Sequence, residues 1–327
     1  MVFSENDIFT VEGNKQFLRF SLEIFHYQKE NNPVYSQYVS LLLGKDYTPQ
    51  SLQEIPFLPI SFFKTHRVKT GLFDHELSFS SSGTTGTTTS THYVKSATIY
   101  HQSFVRGFER FFGHPSGFCF LGLLPSYLER DGSSLLYMVD QLMTISSHPS
   151  NGFYLNNHKQ LAEVIKQLES KNQPTILFGV TFGLLDFFET HPIKLKNVKI
   201  IETGGMKGRR KELTRQEVHQ FLSEQTGSQN IYSEYGMTEL LSQAYSLKDG
   251  LFECPNWMRV MTRKTNDPLS IESHGKTGGI NVIDLANLHS CSFIATQDLG
   301  KTNKNGQFEI LGRFDNSDLR GCNLMAI

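Results

Sequence analysis

Ser80-Ser81-Ser82-Gly83-Thr84-Thr85-Gly86-Thr87-Thr88-Thr89-Ser90-Thr91 is an unbroken run of Ser, Thr and Gly. Leu77-Ser78-Phe79 alternates ahead of it as a strand does, and His92-Tyr93-Val94 follows. The run therefore reads as a tight loop between two extended pieces. Such a loop offers backbone N–H groups and hydroxyls with no bulky side chain in the way, and its glycines let the chain fold around an anion. That is what a polyphosphate needs. The same composition suits a flexible linker. The strand pattern on both flanks favours the phosphate cradle, because linkers rarely sit inside a hairpin.

Working outward, residues 5–29 carry Phe9, Phe17, Phe20, Leu22, Ile24 and Phe25 among polar residues, which predicts one amphipathic helix. A second helix is expected over 36–44, stopped by Gly44. Ile55 to Lys64 is apolar but holds Pro56 and Pro59, so it reads as an extended approach to the loop. Beyond the loop, Tyr100, Phe104, Phe108, Phe111 and Phe112 recur at helical spacing and read as core. Apolar strands are expected at 118–124, 175–180 and 198–202, with helices over 133–143, 158–170 and 211–225, and a short extended piece at 230–233. Alternation of this kind argues for an α/β fold with a mainly parallel, helix-covered sheet. From about residue 242 the pattern changes to short alternating segments between Gly-rich turns. We therefore expect an α/β part over 1–241 and a β-rich part over 242–327.

A chain of 327 residues can bury a large core, with two domains as a soft prior. Its formal net charge of −1 gives no general attraction for nucleic acid or an anionic membrane. The start, Met1-Val2-Phe3-Ser4-Glu5-Asn6-Asp7, has no basic and apolar signal pattern, and no apolar run approaches the ~18 residues of a membrane helix. Cys119, Cys254, Cys291 and Cys322 lie far apart, with no CxxC spacing. That is a cytoplasmic, reduced pattern rather than a disulfide frame or a zinc site.

Walker, dinucleotide GxGxxG and GxSxG motifs are all missing from the sequence. The second informative stretch is Tyr232-Ser233-Glu234-Tyr235-Gly236-Met237-Thr238-Glu239. It follows a strand, at the sheet edge where open α/β folds bind ligands. An aromatic face, a permissive glycine at Gly236, a hydroxyl and a carboxylate fall within five residues. Those parts can stack a base, donate to a phosphate and hold Mg²⁺. Taken singly, the stretch is also an ordinary polar turn, as are Thr296-Gln297-Asp298-Leu299-Gly300 and Gly312-Arg313-Phe314-Asp315.

The ordered set is more specific than its members. SSSGTTG (80–86), Gly204-Gly205, YGMTE (235–239), DLG (298–300) and GRFD (312–315) resemble the adenylate-forming superfamily of acyl-CoA synthetases and luciferases. IPFLPISFFK (55–64) and DNSDLRGCNLM (315–325) point within it to the LuxE family of acyl-protein synthetases. The resemblance spans nearly the whole chain. It implies the large N-terminal domain of these enzymes, with helix-covered mixed sheets plus a β-rich subdomain. Ser82, Gly83, Thr84, Thr85 and Gly86 would wrap the ATP phosphates. Gly204 and Gly205 would line the adenine site, with Tyr235 against the base. Thr238 would touch phosphate and Glu239 would hold Mg²⁺. Asp298 would accept from the ribose hydroxyls, and Arg313 would reach the same sugar.

Two departures stand out. The superfamily loop usually continues with Pro-Lys, where this chain has Thr88 and Thr89. The chain stops 14 residues after Arg313, so the small C-terminal lid domain and its lysine are expected to be absent, leaving Lys207 as a candidate substitute. Cys322, beside Arg320 and Gly321, matches the place where the family's acyl-accepting cysteine lies, and would attack the activated acyl group. The implied activity is ATP-dependent activation of a carboxylic, by resemblance fatty, acid and its transfer to a protein cysteine. An acyl-accepting or reductase protein is the implied partner. Two alternatives stay open: an acyltransferase drawing on an acyl thioester, and a non-catalytic nucleotide-binding subunit of a biosynthetic complex.

Overall fold

The computed structural model describes residues 4–81, 89–124, 132–155, 157–204 and 213–314. Ser82 to Gly86, Thr88, Gly205, Lys207 and Cys322 lie outside the described residues. The chain forms two compact units, residues 1–75 with 256–327, and residues 76–255.

The first unit joins both ends of the chain. A 3-10 turn at Glu5–Thr10 precedes α1 (Gly13–Asn31), so the expected single helix is two elements. Gly13, at φ +68°, makes the break, in a region where only glycine is unstrained. α1 buries Phe17, Phe20, Ser21, Ile24, Phe25 and Gln28, a set that recurs every three or four residues along one face. α2 (Pro33–Leu43) starts earlier than expected, because Asn32 accepts a bond from the Tyr35 amide while Pro33 fills a first-turn position that needs no N–H. Gly44 ends it, as expected. β1 (Leu58–Pro59) is short, ending on Pro59 with Pro56 just ahead of it, and α3 (Phe62–Thr65) follows.

In the second unit the chain runs through β2 (Leu77–Ser80), β3 (Thr91–Val94), α4 (Ala97–Phe112), β4 (Cys119–Leu123), α5 (Ser134–Ser146), β5 (Gly152–Phe153), α6 (His158–Ser170), β6 (Thr175–Val180) and α7 (Thr181–Thr190). It continues through β7 (Val198–Thr203), α8 (Arg215–Thr226), β8 (Ile231–Tyr235), β9 (Ala244–Lys248) and β10 (Leu251–Glu253). β5, β4, β6, β7 and β8 pair in parallel in that order, and β9 and β10 extend the sheet antiparallel. β4 and β6 are buried at every position, as continuous apolar strands covered on both faces must be. β2 and β3 form a separate antiparallel hairpin, which places the Ser/Thr/Gly run inside a hairpin.

The chain then completes the first unit with β11 (Met258–Arg263), β12 (Gly278–Asp284), β13 (Phe293–Thr302) and β14 (Phe308–Arg313), each antiparallel to the next. β1 lies parallel to the start of β13, with Leu58 opposite Ile294. Buried amides sew the two ends of the chain together. Gln28 Nε2 donates to the carbonyls of Asn287 (3.1 Å) and Leu288 (3.0 Å), and its Oε1 accepts from the Ser292 amide (2.9 Å). Asn32 Nδ2 donates to the Ser290 carbonyl at 2.8 Å, and Tyr35 stacks on Phe293. Replacing Gln28 by Leu keeps the volume but strips these buried backbone groups of their partner. We expect a loss of about 2–4 kcal/mol, read from the urea midpoint, with Gln28→Glu no better at neutral pH.

Candidate functional site

Strand alternation sorts the end of the parallel sheet into two chemically different faces. Register pairs Glu202 with Ser233 and Thr203 with Glu234, so the two carboxylates point to opposite sides. On the α7/α8 face, Glu202 collects partners. Thr181 Oγ1 donates to its Oε2 at 2.9 Å, Ser233 Oγ to its Oε1 at 2.7 Å, and Arg215 Nε to Oε1 at 3.1 Å. His219 Nε2 lies 3.0 Å from Ser233 Oγ and 3.9 Å from Glu202 Oε1. Burial pushes the Glu202 carboxyl up, but His219, Arg215 and Ser233 outweigh it, and the group sits below its ordinary value. Glu202 is therefore a buried, paired anion.

On the opposite face, Glu234 accepts a short bond from Thr203 Oγ1. Burial raises its pKa to about 7; the Thr203 bond opposes this and the nearby Glu202 charge adds to it. Both carboxylates were missed from sequence. Glu234 sits inside the stretch singled out there, and only the strand register reveals which way it points.

Past β8 the chain turns tightly, with the Leu240 amide on the Met237 carbonyl at 3.1 Å. This turn holds Thr238 and Glu239, and the hairpin seizes it at two points. Ser90 Oγ donates to Glu239 Oε1. His92 Nδ1 lies 2.9 Å from the Thr238 carbonyl, which can only accept, so Nδ1 carries the proton. Burial lowers the His92 pKa to about 4, against the Thr238 bond, so the ring is neutral at physiological pH. The hairpin neck is closed by Ser81 N on the Ser90 carbonyl (3.0 Å) and Ser90 N on Ser81 Oγ (2.9 Å). Thus the structure brings the expected Thr238 and Glu239 to the foot of the expected loop. Ser90 and His92 do this work, and their only sequence signal was position, Ser90 near the end of the run and His92 just past it.

Gly204 follows Thr203 at φ +75°, a conformation glycine alone adopts freely, and its carbonyl accepts from Thr181 Oγ1 at 3.1 Å. Tyr235 is buried, with its ring edge-on to Phe252 at 5.8 Å. The Arg215 guanidinium lies 4.7 Å over that same Phe252 ring. Since Thr203 and Glu234 are paired neighbours, Gly204 and Tyr235 emerge side by side from adjacent strand ends.

In the first unit, Asp298 and Arg313 are register partners across β13 and β14, with Arg313 Nε 3.5 Å from Asp298 Oδ1. Asp298 and Arg313, read as turn residues, are therefore strand residues of β13 and β14, because antiparallel pairing sets them opposite each other as one ion pair, with the Phe314 amide on the Gln297 carbonyl at 2.8 Å beside it. Cys119 and Cys291 are fully buried, and burial pushes each thiol up to about 12. Neither can supply a thiolate near neutrality. Cys254 is half-buried.

The family model described as acyl-protein synthetase, LuxE, matches residues 3–326. No curated protein matches the chain in sequence. Among solved structures, ATP-bound MatB from Rhodopseudomonas palustris matches with a TM-score of 0.54 at 15% identity, over 72% of this chain and 47% of that one. This chain thus spans about half of MatB's length. A 2-hydroxyisobutyryl-CoA ligase, solved in an open conformation with 2-HIB-AMP and CoA, matches with a TM-score of 0.68 at 14% identity, over 97% of this chain and 80% of that one. A long-chain-fatty-acid-CoA ligase from Archaeoglobus fulgidus gives 0.50 at 14% identity, over 75% and 52%. At such identities the likeness is one of fold, and the fold is the mixed α/β architecture expected from the motif order.

Glu234 has a measurable signature. Its folded pKa of about 7 lies above the ordinary 4.5, so between those values the unfolded chain has lost a proton that the folded chain keeps. Its contribution therefore erodes stability as pH rises from about 4.5 to 7, and the full penalty applies above 7. Glu234→Gln keeps an acceptor for Thr203 and removes the ionisation. We expect it to match the parent at pH 4.5 and to exceed it by up to about 3 kcal/mol at pH 8, in urea titrations at both values.

Proposed function

We propose, from the premise that this chain belongs to the LuxE family of acyl-protein synthetases, that it joins a carboxylic acid to ATP as an acyl-adenylate and passes the acyl group to Cys322 as a thioester. The observation that supports this best is the double tie from the hairpin to the Thr238–Glu239 turn, through Ser90 and His92. It fixes a hydroxyl and a carboxylate at the foot of a Ser/Thr/Gly loop, which are the parts a metal–nucleotide complex requires.

A carboxylate is a poor acyl donor because oxide is a poor leaving group. Its oxygen bonds to the α-phosphorus of ATP, pyrophosphate departs, and the acid then carries AMP as a good leaving group. A cysteine thiolate adds to that carbonyl and AMP leaves, which closes the balance. Ser82 to Gly86 wrap the phosphates, and Thr238 donates to the phosphate nearest the acid. Glu239, one buried carboxylate beside substrate phosphates, fits Mg²⁺, which usually takes one or two protein carboxylates and keeps the rest of its shell as water and phosphate oxygens. Mg²⁺, when bound, neutralises charge on the phosphates. Gly204, Gly205, Gly236 and Tyr235 form the adenine site. Tyr235 is held by Phe252, so its ring orientation is set before any base arrives. Asp298 accepts from the ribose hydroxyls, with Arg313 paired to it and directed to the same sugar.

With Cys119 and Cys291 held as thiols by burial, the acyl acceptor is Cys322, and Cys254 is its one rival. By the family resemblance the acid is a fatty acid and the thioester is handed on to a reductase or other acyl-accepting protein. Thr88 and Thr89, in place of the usual Pro-Lys, favour a second reading in which an acyl thioester replaces acid and ATP as donor.

ATP–pyrophosphate exchange across a panel of carboxylic acids separates the two. We expect acid-dependent exchange that falls about 100-fold or more in Glu239→Ala. With labelled acid, ATP and Mg²⁺, hydroxylamine-labile label should appear on the protein, vanish in Cys322→Ser and persist in Cys254→Ser. Labelling from an acyl thioester with no exchange on any acid would establish the second reading instead.

A further inference from the structure

The end of β8 and the start of β9 build a polar patch that the reaction above leaves without a role. Pairing sets Glu234 across from Tyr245 and Tyr235 across from Ala244, and the next step of that register sets Gly236 across from Gln243. Alternation then points Glu234, Tyr245 and Gln243 to one face of the sheet, away from Glu202. A Cβ on Gly236 would stand 2.3 Å from Glu234 Oε1 and 3.3 Å from Gln243 Cγ. The carboxyl therefore leans into the space the glycine leaves, while its other oxygen accepts from Thr203.

All three side chains belong to buried residues: Tyr245 is 0% exposed, Gln243 6% and Glu234 9%. Yet Gln243 Oε1 and the Tyr245 hydroxyl have no hydrogen-bond partner among the described residues. Buried polar atoms in native proteins are almost always paired, so two unpaired ones beside a buried carboxyl need an occupant. They sit at the carboxyl end of the strands, where open α/β sheets receive ligands, and next to the Tyr235–Glu239 stretch. The surroundings are aromatic: Phe111 and Phe112 pack against the Tyr245 ring at 5.3 and 5.2 Å.

We propose that Glu234, Gln243 and Tyr245 form a polar subsite that selects a carboxylic acid bearing a hydrogen-bond donor, a hydroxyl or an amine, over the matching plain alkyl acid. The inference rests on the acid-activating reading above and narrows its substrate. Gln243 Oε1 can only accept. The Tyr245 hydroxyl can give or receive, and it stays protonated because burial, first, and then the neighbouring Glu234 raise its pKa well above the ordinary phenol value. A substrate hydroxyl would donate to Gln243 and accept from Tyr245. A substrate ammonium would donate to Gln243 and draw Glu234 into its ionised form. A plain methylene in the same place leaves both atoms buried and unpaired, and a site built around hydrogen bonds rejects such analogues strongly.

The test uses the full chain and trios of acids matched in length, one plain, one hydroxylated and one amino-substituted, with the substituent moved along the chain. Binding of each acid is measured by calorimetry without ATP, and ATP–pyrophosphate exchange is measured in parallel. We expect at least one donor-bearing acid to exceed its plain counterpart by about 100-fold in affinity and in kcat/KM. Tyr245→Phe and Gln243→Leu should each cut that preference to about tenfold or less, with the plain acid unchanged or improved. Whether the hydroxy or the amino series leads identifies the donor. Exchange or binding that favours plain acids, or treats the trio alike, overturns the subsite while leaving acid activation intact. Selective binding of a donor-bearing acid with no exchange on any acid sustains the subsite and overturns the activation reading. No binding and no exchange overturns both.

Discussion

Two carboxyl groups buried on adjacent strands set the terms for the end of the parallel sheet. Glu202 and Glu234 lie one register step apart on β7 and β8, and both are nearly inaccessible to water. An ionised carboxylate in such a place is costly unless paired, and two ionised neighbours are costlier still. The fold resolves this by strand alternation. One face supplies Glu202 with a guanidinium, an imidazole and two hydroxyls, and the other gives Glu234 a threonine hydroxyl and a pKa raised to about 7. The first residue of α8 and the first of α7 both bond to Glu202, so that anion ties the starts of two helices to the sheet.

The division gives the sheet edge two chemical characters. On the Glu202 face a cation, a phenyl ring and the Tyr235 phenol are packed in succession as Arg215, Phe252 and Tyr235. That face is charged and its groups are already bonded to one another. On the Glu234 face, beside the aromatic rings of Phe111 and Phe112, Gln243 Oε1 and the Tyr245 hydroxyl have no partner among the described residues. A face that is internally satisfied holds a shape, whereas one that is not is poised to accept a ligand.

The architecture was legible from short apolar runs. β4, β6 and β7 are the short apolar runs expected as strands, and α6 spans the expected residues. The first helix was misread as one element because Phe9 continues the apolar spacing, while the positive φ of Gly13 is a backbone fact that composition does not disclose. Thr238 and Glu239 were legible as a motif. Glu202, Ser90, His92 and Gln243 were not, because an acid in an apolar strand or a serine at the end of a serine-rich run has no periodicity of its own. Their roles come from pairing across 31 residues for Ser233 with Glu202 and 149 for Ser90 with Glu239. Asp298 and Arg313 show the same point. Each reads as a bland turn in the sequence, whereas the structure makes them opposite partners on paired antiparallel strands.

The hairpin tie and the sheet edge also differ in how they respond to protons, and this bears on how the site keeps its shape. Ser90 closes the neck of the loop through its backbone and holds Glu239 through its hydroxyl, a neutral donor. His92 holds the Thr238 carbonyl as a neutral ring whose pKa of about 4 keeps that bond unchanged across the physiological range. Glu202 titrates below the ordinary carboxylate value. Unlike His92 and Glu202, Glu234 has its pKa near neutrality, and it lies on the face whose Gln243 and Tyr245 atoms lack partners among the described residues rather than on the hairpin tie. A ligand that donates to this face thus meets a carboxyl able to shift between neutral acceptor and counter-ion. The Thr238–Glu239 turn, two residues beyond Gly236, is held by two separate neutral donors, Ser90 and His92, neither of which bonds to Glu234.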